Sequence, residues 1–298
     1  MTKPKVIVIV GQTATGKSAL AVRLAKALGG EIISADSRQV YKGLDIGTGK
    51  VTKKEMQGVP HHLLDVVSPK RSTKAGGKFT VAEFQSLAMT ATAAIVRQGK
   101  IPIIVGGTGF YIDAVVRGEV YPEVEPNKKL RQALSKKSIA SLSTILKKLD
   151  PVRAKNIDAK NPVRLIRAIE IAKALGKVPK IKKQKLPYEF IKIGLVLPPE
   201  ILEKNIKKRV SGMFDAGLLD EIKKLKTKGV SKKRLAEFGF EYDDPSIEKV
   251  ILGTLQYAKR QNTWFKRDKE IKWFTPSKAK GFNPKELEEI KRFIQKSL

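Results

Sequence analysis

Three short apolar runs predict buried strands of a parallel sheet. Residues 6–10 and Ile101–Val105 are almost wholly apolar, and residues 31–35 are largely so, without the strict alternation of a half-exposed strand. Two later runs, residues 190–197 and 271–274, predict strands that return to the same sheet. Continuous apolar runs are typical of strands that helices cover on both faces.

The segments between these runs carry apolar residues at helical spacing. In residues 80–98, Phe84 and Ala91 fall on one face, and Thr80 with Glu83 matches the capping box that begins many helices. Further helices are predicted over residues 19–28 and 218–228, from residue 199 onward, over residues 246–264, and from residue 284 to the end. Strands that alternate with helices predict an α/β fold, with a parallel sheet flanked by helices.

The pattern changes near Tyr121, where prolines and many lysines precede three helical stretches with no strand between them. A basic stretch, residues 177–187, then leads to the returning strand. We therefore predict two domains. Residues 1–120 and 190–298 form a P-loop-type catalytic core, and residues 121–189 form an inserted, all-helical domain.

The apolar run at residues 6–10 leads directly into a segment that matches GxxxxGK[ST], the pattern of a phosphate-binding loop. Its residues are Gly11, Gln12, Thr13, Ala14, Thr15, Gly16, Lys17 and Ser18. The glycines let successive backbone N–H groups converge on an anion at a helix N-terminus. Lys17 adds a positive charge, and the Ser18 hydroxyl is a ligand for a metal ion. A strand before the loop and a helix after it make a simple Gly-rich turn the weaker interpretation.

Two further polar segments follow predicted strands. Asp36 comes directly after residues 31–35, and Thr108 lies in the Gly-rich segment after Ile101–Val105. Because the carboxyl ends of parallel strands meet at one edge of a sheet, we expect both residues beside the phosphate loop. An ATP hydrolase normally has a second acidic residue at the end of a buried strand, and Asp36 is the only acid so placed. Its carboxylate can assist a metal ion or act as a general base, and the pattern leaves both roles open.

Charge narrows the class of partner. The 298 residues include 60 Lys and Arg against 29 Asp and Glu, a net charge of +31. So large an excess predicts a polyanionic partner, nucleic acid first, and the alternative is a lysine-rich surface without such a partner. The absence of cysteine excludes disulfides, thiolate nucleophiles and Cys-based zinc sites. No stretch has the form of a membrane span or a secretory signal, so we expect a cytoplasmic protein.

The two histidines of the chain are adjacent, at His61 and His62. Neighbouring residues of an extended segment point in opposite directions, so the pair cannot easily share a ligand. We therefore interpret both histidines as structural.

Six segments together are specific enough to indicate a family. Beyond the phosphate loop they are residues 36–48 (DSRQVYKGLDIGT), 60–65 (PHHLLD), 105–111 (VGGTGFY), 162–168 (PVRLIRA) and 258–264 (AKRQNTW). With these segments the chain resembles the tRNA dimethylallyltransferases, also called tRNA isopentenyltransferases, over nearly its whole length. The bacterial form is the better match, because the eukaryotic relatives carry a zinc finger and this chain has no cysteine.

The resemblance implies transfer of a dimethylallyl group from dimethylallyl diphosphate to N6 of the adenosine just 3′ of the anticodon in tRNA, with Mg²⁺ and release of diphosphate. By this resemblance Asp36 takes the proton from the adenosine amine, Thr13 and Thr108 line the reaction channel, and Arg209 holds the diphosphate. An adenine amine is a poor nucleophile because its lone pair is delocalised, so a base and close positioning are both needed. The implied partners are the tRNA anticodon stem-loop and the prenyl donor, with no membrane, and we expect a monomer.

The resemblance also implies which residues contact tRNA. Some follow the second strand or line the channel, some lie in the inserted domain, and two lie on a late helix. They are Asp36, Ser37, Arg38, Gln39, Thr108, Arg131, Val163, Arg164, Leu165, Ile166, Arg167, Lys259 and Arg260. For Arg164 and Arg167, the alternative without the family match is a solvated helical face.

The chain departs from the family pattern at three positions. Pro199, Asn205 and Leu255 stand where an arginine is common. These changes bear on how the diphosphate and the tRNA are contacted.

Other function classes make different demands on the sequence. A P-loop small-molecule kinase or a nucleotide-level prenyltransferase would require neither the helical insert nor the charge of +31. A nucleic-acid-binding ATPase would need the second strand-end acid. A trans-type prenyl synthase would need paired DDxxD motifs, which the sequence lacks.

Overall fold

The structure, a computed structural model, describes residues 3–70, 79–276 and 282–298. The strands of this part of the chain are β1 (Lys5–Gly11), β2 (Gly30–Ser34), β3 (His61–His62), β4 (Ile101–Val105), β5 (Glu119–Val120), β6 (Lys182–Lys183), β7 (Glu189–Leu195) and β8 (Lys272–Phe274). The helices are α1 (Lys17–Leu28), α2 (Lys53–Met56), α3 (Val81–Arg97), α4 (Gly109–Val116), α5 (Lys128–Ser135), α6 (Ile139–Leu149), α7 (Pro151–Lys155), α8 (Pro162–Leu175), α9 (Pro199–Asp215), α10 (Leu218–Thr227), α11 (Lys232–Phe238), α12 (Ile247–Phe265) and α13 (Pro284–Ser297).

Six of the strands form a parallel sheet in the order β3-β2-β4-β1-β7-β8. β1 lies between β4 and β7, so the loop that follows it leaves from the middle of the carboxyl edge. β2 pairs with β4, which brings the segments after these two strands to the same edge. The predicted α/β class with a parallel sheet is confirmed.

Alternate residues of the strands face two hydrophobic cores, as the two-residue period of a strand requires. Val6 and Val8 belong to one core, which includes residues of α3, α4, α10 and α11. Ile7 and Ile9 belong to the other core, where α1 and α13 supply the apolar faces. Helices therefore cover both faces of the sheet, which is the reason that its central strands are continuously apolar.

The chain divides into two compact units. The described residues of the larger unit are 3–70, 79–117, 185–276 and 282–298, and those of the smaller unit are 118–184. The smaller unit contains helices α5 to α8 and an antiparallel pair, β5 with β6. The sequence predicted an all-helical insert over residues 121–189. The helical insert is present, and the unit that contains it also has the strand pair β5 and β6. The compact unit, residues 118–184, begins and ends a few residues earlier than the predicted domain.

Local signals account for most helix ends. Thr80 accepts a hydrogen bond from the N–H of Glu83, and the reciprocal bond completes the predicted capping box of α3. α11 is an element that the hydrophobic pattern did not indicate, because its seven residues are too few to show a period. In residues 3–70, 79–276 and 282–298, no helix is long and apolar enough to cross a membrane.

Candidate active site

The phosphate loop connects the buried end of β1 to the first turn of α1. Gly11 has φ of 138°, and a Cβ at this position would lie 2.3 Å from the carbonyl oxygen of Leu195 on β7. Only glycine fits there, because the backbone of the neighbouring strand fills the space. Gly16 adopts the left-handed conformation and caps the N-terminus of α1. The predicted order of strand, loop and helix is therefore present, with N–H groups at the helix start.

Side chains within the loop hold its shape. The carbonyl oxygen of Gln12 accepts hydrogen bonds from the Thr15 hydroxyl, at 2.8 Å, and from the Lys17 ammonium group. Ser18 lies exposed on the first turn of α1. Lys17 and Ser18 are thus presented at the same helix end, as the motif predicts.

Gln261 on α12 links the phosphate loop to the end of β4. Its Oε1 accepts a hydrogen bond from the backbone N–H of Thr13 at 2.8 Å, and its Nε2 donates to the carbonyl oxygen of Gly107 at 2.9 Å. The amide of Gln261 is buried, so both bonds are shielded from water. Sequence reasoning did not assign Gln261 a role, although it lies in one of the family segments.

Asp36 and Thr108 lie at the ends of the adjacent strands β2 and β4. Asp36 Oδ1 accepts hydrogen bonds from the backbone N–H groups of Arg38, at 2.8 Å, and of Gln39, at 3.3 Å. Thr108 Oγ1 accepts a hydrogen bond from the Ser37 N–H at 3.1 Å. The structure therefore brings these predicted site residues together at the edge of the sheet. One carboxylate oxygen of Asp36 maintains a turn, and no described residue donates a hydrogen bond to the other, Oδ2.

The charges at this edge are mainly positive. Burial, and then the nearby charge of Arg209, lower the pKa of Lys17 to about 7 against the opposing effect of Asp36. Burial and Arg38 also lower the pKa of Arg209. Arg38 forms an ion pair with the buried carboxylate of Glu241, and the carboxylates of Glu241 and Asp36 outweigh burial and raise its pKa. Three cations thus influence one another across the site, and this arrangement favours a bound anion.

Arg209 reaches the site from α9, where it is half-buried. Its Nη2 donates a hydrogen bond to the carbonyl oxygen of Thr48 at 3.1 Å. Gln39 Nε2 lies 3.4 Å from the same oxygen and from the carbonyl oxygen of Gly49. The segment after β2 therefore holds Arg209 as well as Asp36.

The three departures from the family pattern have local structural roles. Asn205, one turn before Arg209 on α9, donates a hydrogen bond from Nδ2 to the carbonyl oxygen of Ala14 in the phosphate loop, at 3.2 Å. Pro199 is the first residue of α9, a position where a backbone N–H would have no partner within the helix, so proline costs no hydrogen bond there. Leu255 packs against the apolar cluster between α9 and α12. Asn205 therefore contacts the loop directly, and the other two support the helices beside it.

Tyr257 lies among the cations of α12 and the segment after β2. The guanidinium groups of Arg38 and of Arg260 each lie 5.8 Å from the centre of its ring. Burial, and then the Asp36 carboxylate, raise the pKa of the Tyr257 hydroxyl. Lys259 and Arg260, which the sequence predicted as tRNA contacts, are exposed on the same helix. Tyr257 was not predicted, because no local pattern separates it from a core aromatic residue.

In the smaller unit, two predicted RNA-binding arginines surround a buried carboxylate. Arg131 contacts Glu170 through Nε at 2.9 Å and Nη2 at 2.7 Å, and Arg167 contacts the same carboxylate at 2.5 Å. The backbone N–H of Asn127 also donates to it at 2.6 Å. Burial raises the pKa of Glu170, but these hydrogen bonds outweigh it, and the pKa lies below its ordinary value. Arg131 and Arg167 therefore have a structural role, and their contact with tRNA stays a prediction.

The other predicted contacts in this unit differ in exposure. Val163 is 75% exposed, and Arg164 is exposed with an ion pair to Asp158. Leu165 is fully buried in the core of the unit, and Ile166 packs partly against that core. The side chain of Leu165 has no exposed surface for a partner, so only its backbone is left for the predicted tRNA contact, which stays a prediction.

Both histidines have separate partners within the larger unit. His61 Nδ1 lies 2.8 Å from the Val59 carbonyl oxygen, and His62 Nε2 lies 2.7 Å from Glu31 Oε2. Glu31 also accepts a hydrogen bond from Lys100 at 2.6 Å. These contacts support the structural interpretation, because each ring nitrogen involved holds a segment beside the sheet.

Comparisons with known proteins place the chain in a family. A family model described as IPP transferase matches residues 39–268. The tRNA dimethylallyltransferase of Anoxybacillus flavithermus is 40% identical, with 98% of this chain and 96% of that protein covered. The crystal structure of the full-length tRNA isopentenylpyrophosphate transferase of Bacillus halodurans has a TM-score of 0.71 at 36% identity, and covers 99% of this chain and 96% of that chain. A structure of a eukaryotic dimethylallyltransferase acting on tRNA has a TM-score of 0.76 at 30% identity, and covers 91% of this chain and 74% of that chain.

The agreement extends from the phosphate loop to the late helices, so it is not confined to one motif. The family predicted from the sequence segments is confirmed. Since the family model covers most of the chain and the relatives match nearly all of it, the chain belongs to the IPP transferase family.

Proposed function

We propose that this chain transfers a dimethylallyl group from dimethylallyl diphosphate to N6 of the adenosine 3′-adjacent to the anticodon in tRNA. The observation that carries the proposal is the placement of Asp36 and Thr108 at the ends of adjacent strands, at the edge where the phosphate loop begins. A single carboxylate there suits proton removal from a bound nucleophile. The names of the relatives, which are tRNA dimethylallyltransferases, agree with this chemistry.

The phosphate loop holds the diphosphate of the donor in this proposal. Lys17 and Arg209 both carry pKa values lowered by burial and by neighbouring positive charge, so a bound anion relieves an unfavourable arrangement. The N-terminus of α1 adds backbone N–H groups and the positive end of its dipole. As the bond between carbon and diphosphate oxygen breaks, these groups stabilise the negative charge on the leaving diphosphate.

Asp36 acts as the base for the adenosine amine. The prenyl carbon leaves the diphosphate oxygen and bonds to N6, and the proton that N6 loses passes to Asp36 Oδ2. Oδ1 keeps its hydrogen bonds to the N–H groups of Arg38 and Gln39, so the carboxylate remains oriented throughout. Thr13 and Thr108 line the channel between donor and acceptor. The adenine must leave its stack to reach this position.

The residues present fit a Mg²⁺ ion. Mg²⁺ usually takes one or two protein oxygens, with waters and substrate phosphates as its other ligands. Ser18 offers an exposed hydroxyl at the end of the phosphate loop, and the described residues contain no cluster of three acidic or histidine side chains that would form a protein-only site. Bound at Ser18, the ion would neutralise charge on the donor's phosphates.

In this proposal, exposed residues of each unit bind the tRNA. Val163 and Arg164 are exposed in the smaller unit, and Lys259 and Arg260 are exposed on α12. The net charge of +31 favours the phosphate backbone as the main source of affinity. The proposal includes a cytoplasmic location, where tRNA is modified, and a monomeric enzyme.

The test is incubation of the protein with labelled dimethylallyl diphosphate and Mg²⁺, with unmodified tRNA or AMP as acceptor. We expect label in tRNA and none in AMP. An otherwise identical tRNA with guanosine at the target position is the matched control, and it should remain unlabelled. Labelling of AMP at a comparable rate would instead support a nucleotide-level prenyltransferase. Absence of label in every acceptor would reject the proposal.

A further inference from the structure

A buried carboxylate from α10 holds the backbone of the segment after β2. Glu221 Oε2 accepts hydrogen bonds from the backbone N–H groups of Asp45, at 2.9 Å, and of Ile46, at 2.7 Å. Glu221 Oε1 accepts a bond from the N–H of Gly47 at 3.1 Å and from the Tyr242 hydroxyl at 2.8 Å. Four donors therefore converge on one carboxylate, and Glu221 is only 9% exposed.

Three consecutive N–H groups that face one anion form a backbone nest. By sequence, the Gly-rich segment at residues 42–50 has the composition of a loop that binds a ligand beside a phosphate site. In the structure its N–H groups at residues 45–47 are occupied by Glu221. The segment is thus fixed by the protein's own carboxylate, and these three donors are already paired.

The next two residues of the segment support Arg209. The carbonyl oxygen of Thr48 accepts the bond from Arg209 Nη2 at 3.1 Å. Gly49 has φ of 57°, and a Cβ there would lie 1.9 Å from the same nitrogen, so the guanidinium rests directly on the backbone. A shift of the 45–47 backbone would move Thr48 and Gly49, because they follow without a break. Glu221 and Arg209 are therefore connected through five consecutive residues.

We propose that Glu221 is a positioning residue for the diphosphate of the donor, acting through residues 45–49 on Arg209. This inference rests on the proposed function, in which Arg209 holds the diphosphate. Glu221 touches no reacting atom in this assignment. It fixes where the Arg209 guanidinium lies before the donor binds, and so lowers the cost of ordering that side chain on binding.

A carboxylate is needed for this role, and an amide of the same shape does not suffice. Glu221→Gln replaces one oxygen by an NH₂ group, which cannot accept the N–H donors that faced the oxygen. At least one backbone N–H of the segment is then left unpaired in a buried place. Tyr242→Phe removes one hydrogen bond to the same carboxylate, the one that the Tyr242 hydroxyl donates, and keeps the ring in place. It is the milder variant, and it serves if Glu221→Gln does not fold.

The experiment measures the affinity for inorganic diphosphate by calorimetry in a double-mutant cycle of Glu221→Gln and Arg209→Ala. We expect Glu221→Gln to weaken binding on the order of tenfold when Arg209 is present, and less than twofold when Arg209 is alanine. Asp220→Asn is the matched control. This neighbouring acid on α10 is exposed and pairs with Lys223, and its replacement should leave the affinity unchanged.

A second readout follows the segment itself. Amide hydrogen exchange at Asp45, Ile46 and Gly47 should be faster in Glu221→Gln than in wild type and in Asp220→Asn. Tyr242→Phe should weaken diphosphate binding about threefold, again only when Arg209 is present.

The outcomes separate this inference from the proposed function. If the wild-type protein binds no diphosphate, the proposed function fails at its donor site. If wild type binds and Glu221→Gln or Tyr242→Phe binds equally well, the positioning role alone is overturned. Equal weakening with and without Arg209 would also overturn it, since that result indicates a general loss of stability.

Discussion

Lys17 donates a hydrogen bond to the carbonyl oxygen of Gln12, within the phosphate loop to which both residues belong. Burial and the neighbouring Arg209 lower the pKa of this lysine to about 7. The side chain therefore changes charge near neutral pH, and the charged form is the one that an anion favours. We therefore expect the loop to take up a proton when an anion binds near pH 7 or above.

The affinity for inorganic diphosphate should fall as pH rises above 7. A bound diphosphate raises the pKa of Lys17, so binding takes up a proton wherever the free protein has lost it. The sign follows: affinity is highest below the free pKa and declines by up to about tenfold per pH unit above it. Calorimetric titrations from pH 6.5 to 8.5 measure this decline.

Diphosphate itself also ionises in this range. Its ionisation affects binding to wild type and to the matched variant Lys17→Met equally, so the difference between the two affinities reports on Lys17 alone. The difference between the two affinities should shrink as pH rises, because wild-type Lys17 becomes neutral. Curves that stay parallel across the whole range would show that Lys17 does not titrate there.

The affinity for tRNA should fall steeply with salt. Replacing Lys259 and Arg260 together by glutamine should reduce the magnitude of the slope of log K against log salt by about 0.7–0.9 for each phosphate contact that is lost. The charge-matched control replaces Arg292 and Lys296 on α13, which lie outside the residues matched by the family model. Filter-binding titrations between roughly 50 and 200 mM salt measure the slope for wild type and for both double variants. Equal slopes for the two double variants would remove α12 from the tRNA surface.

Leu165→Ala should destabilise the protein without a direct effect on tRNA. Leu165 is fully buried among the apolar residues of the smaller unit, so its truncation should cost about 2–5 kcal/mol of unfolding free energy. Arg164→Ala should weaken tRNA binding and leave the unfolding free energy nearly unchanged. Its ion pair with Asp158 is exposed and contributes little to stability. Denaturant unfolding and tRNA binding at low temperature separate the two effects. If the Leu165→Ala protein folds with unchanged stability and binds tRNA more weakly, Leu165 contacts tRNA and its role is not structural.

Local sequence patterns predicted the sheet and the phosphate loop well. The runs that form β1 and β4 are apolar because helices cover both faces of the sheet. The loop motif is recognisable because a phosphate at a helix N-terminus is bound by backbone N–H groups, which requires glycines at fixed positions. The strand pair of the smaller unit was missed because two-residue strands, such as Lys182–Lys183, carry no detectable alternation. The burial of the Leu165 side chain was not anticipated, because the family segment does not distinguish buried from exposed positions of α8.

Long-range contacts could not be predicted in this way. Glu221 binds Gly47 across 174 residues of sequence, and Gln261 binds Thr13 across 248. The spacing of residues reports on neighbours within a helix or a strand, whereas these pairs depend on how helices pack against the sheet edge. The nearest signal was the Gly-rich composition of residues 42–50, which marks a backbone that needs support but does not name its partner.

Asp36→Asn should slow the chemical step by about 10²–10⁴-fold while tRNA binding survives. The amide oxygen of asparagine can still accept the hydrogen bonds from the N–H groups of Arg38 and Gln39, so the turn after β2 is retained. What the variant loses is an atom able to take the proton from N6. Single-turnover rates with saturating tRNA measure this loss directly.

A metal-binding role for Asp36 predicts a different pattern, and a Mg²⁺ series distinguishes the two. If Asp36 acts only through the ion, the single-turnover rate of Asp36→Asn should recover at high Mg²⁺, because a weaker site is filled by mass action. If Asp36 is the base, added Mg²⁺ leaves the rate low, since the ion does not replace the proton acceptor. Ser18→Ala is the matched variant on the metal side, and its rate should respond to Mg²⁺ whichever role Asp36 has. Recovery of Asp36→Asn alongside Ser18→Ala would reject the general-base assignment.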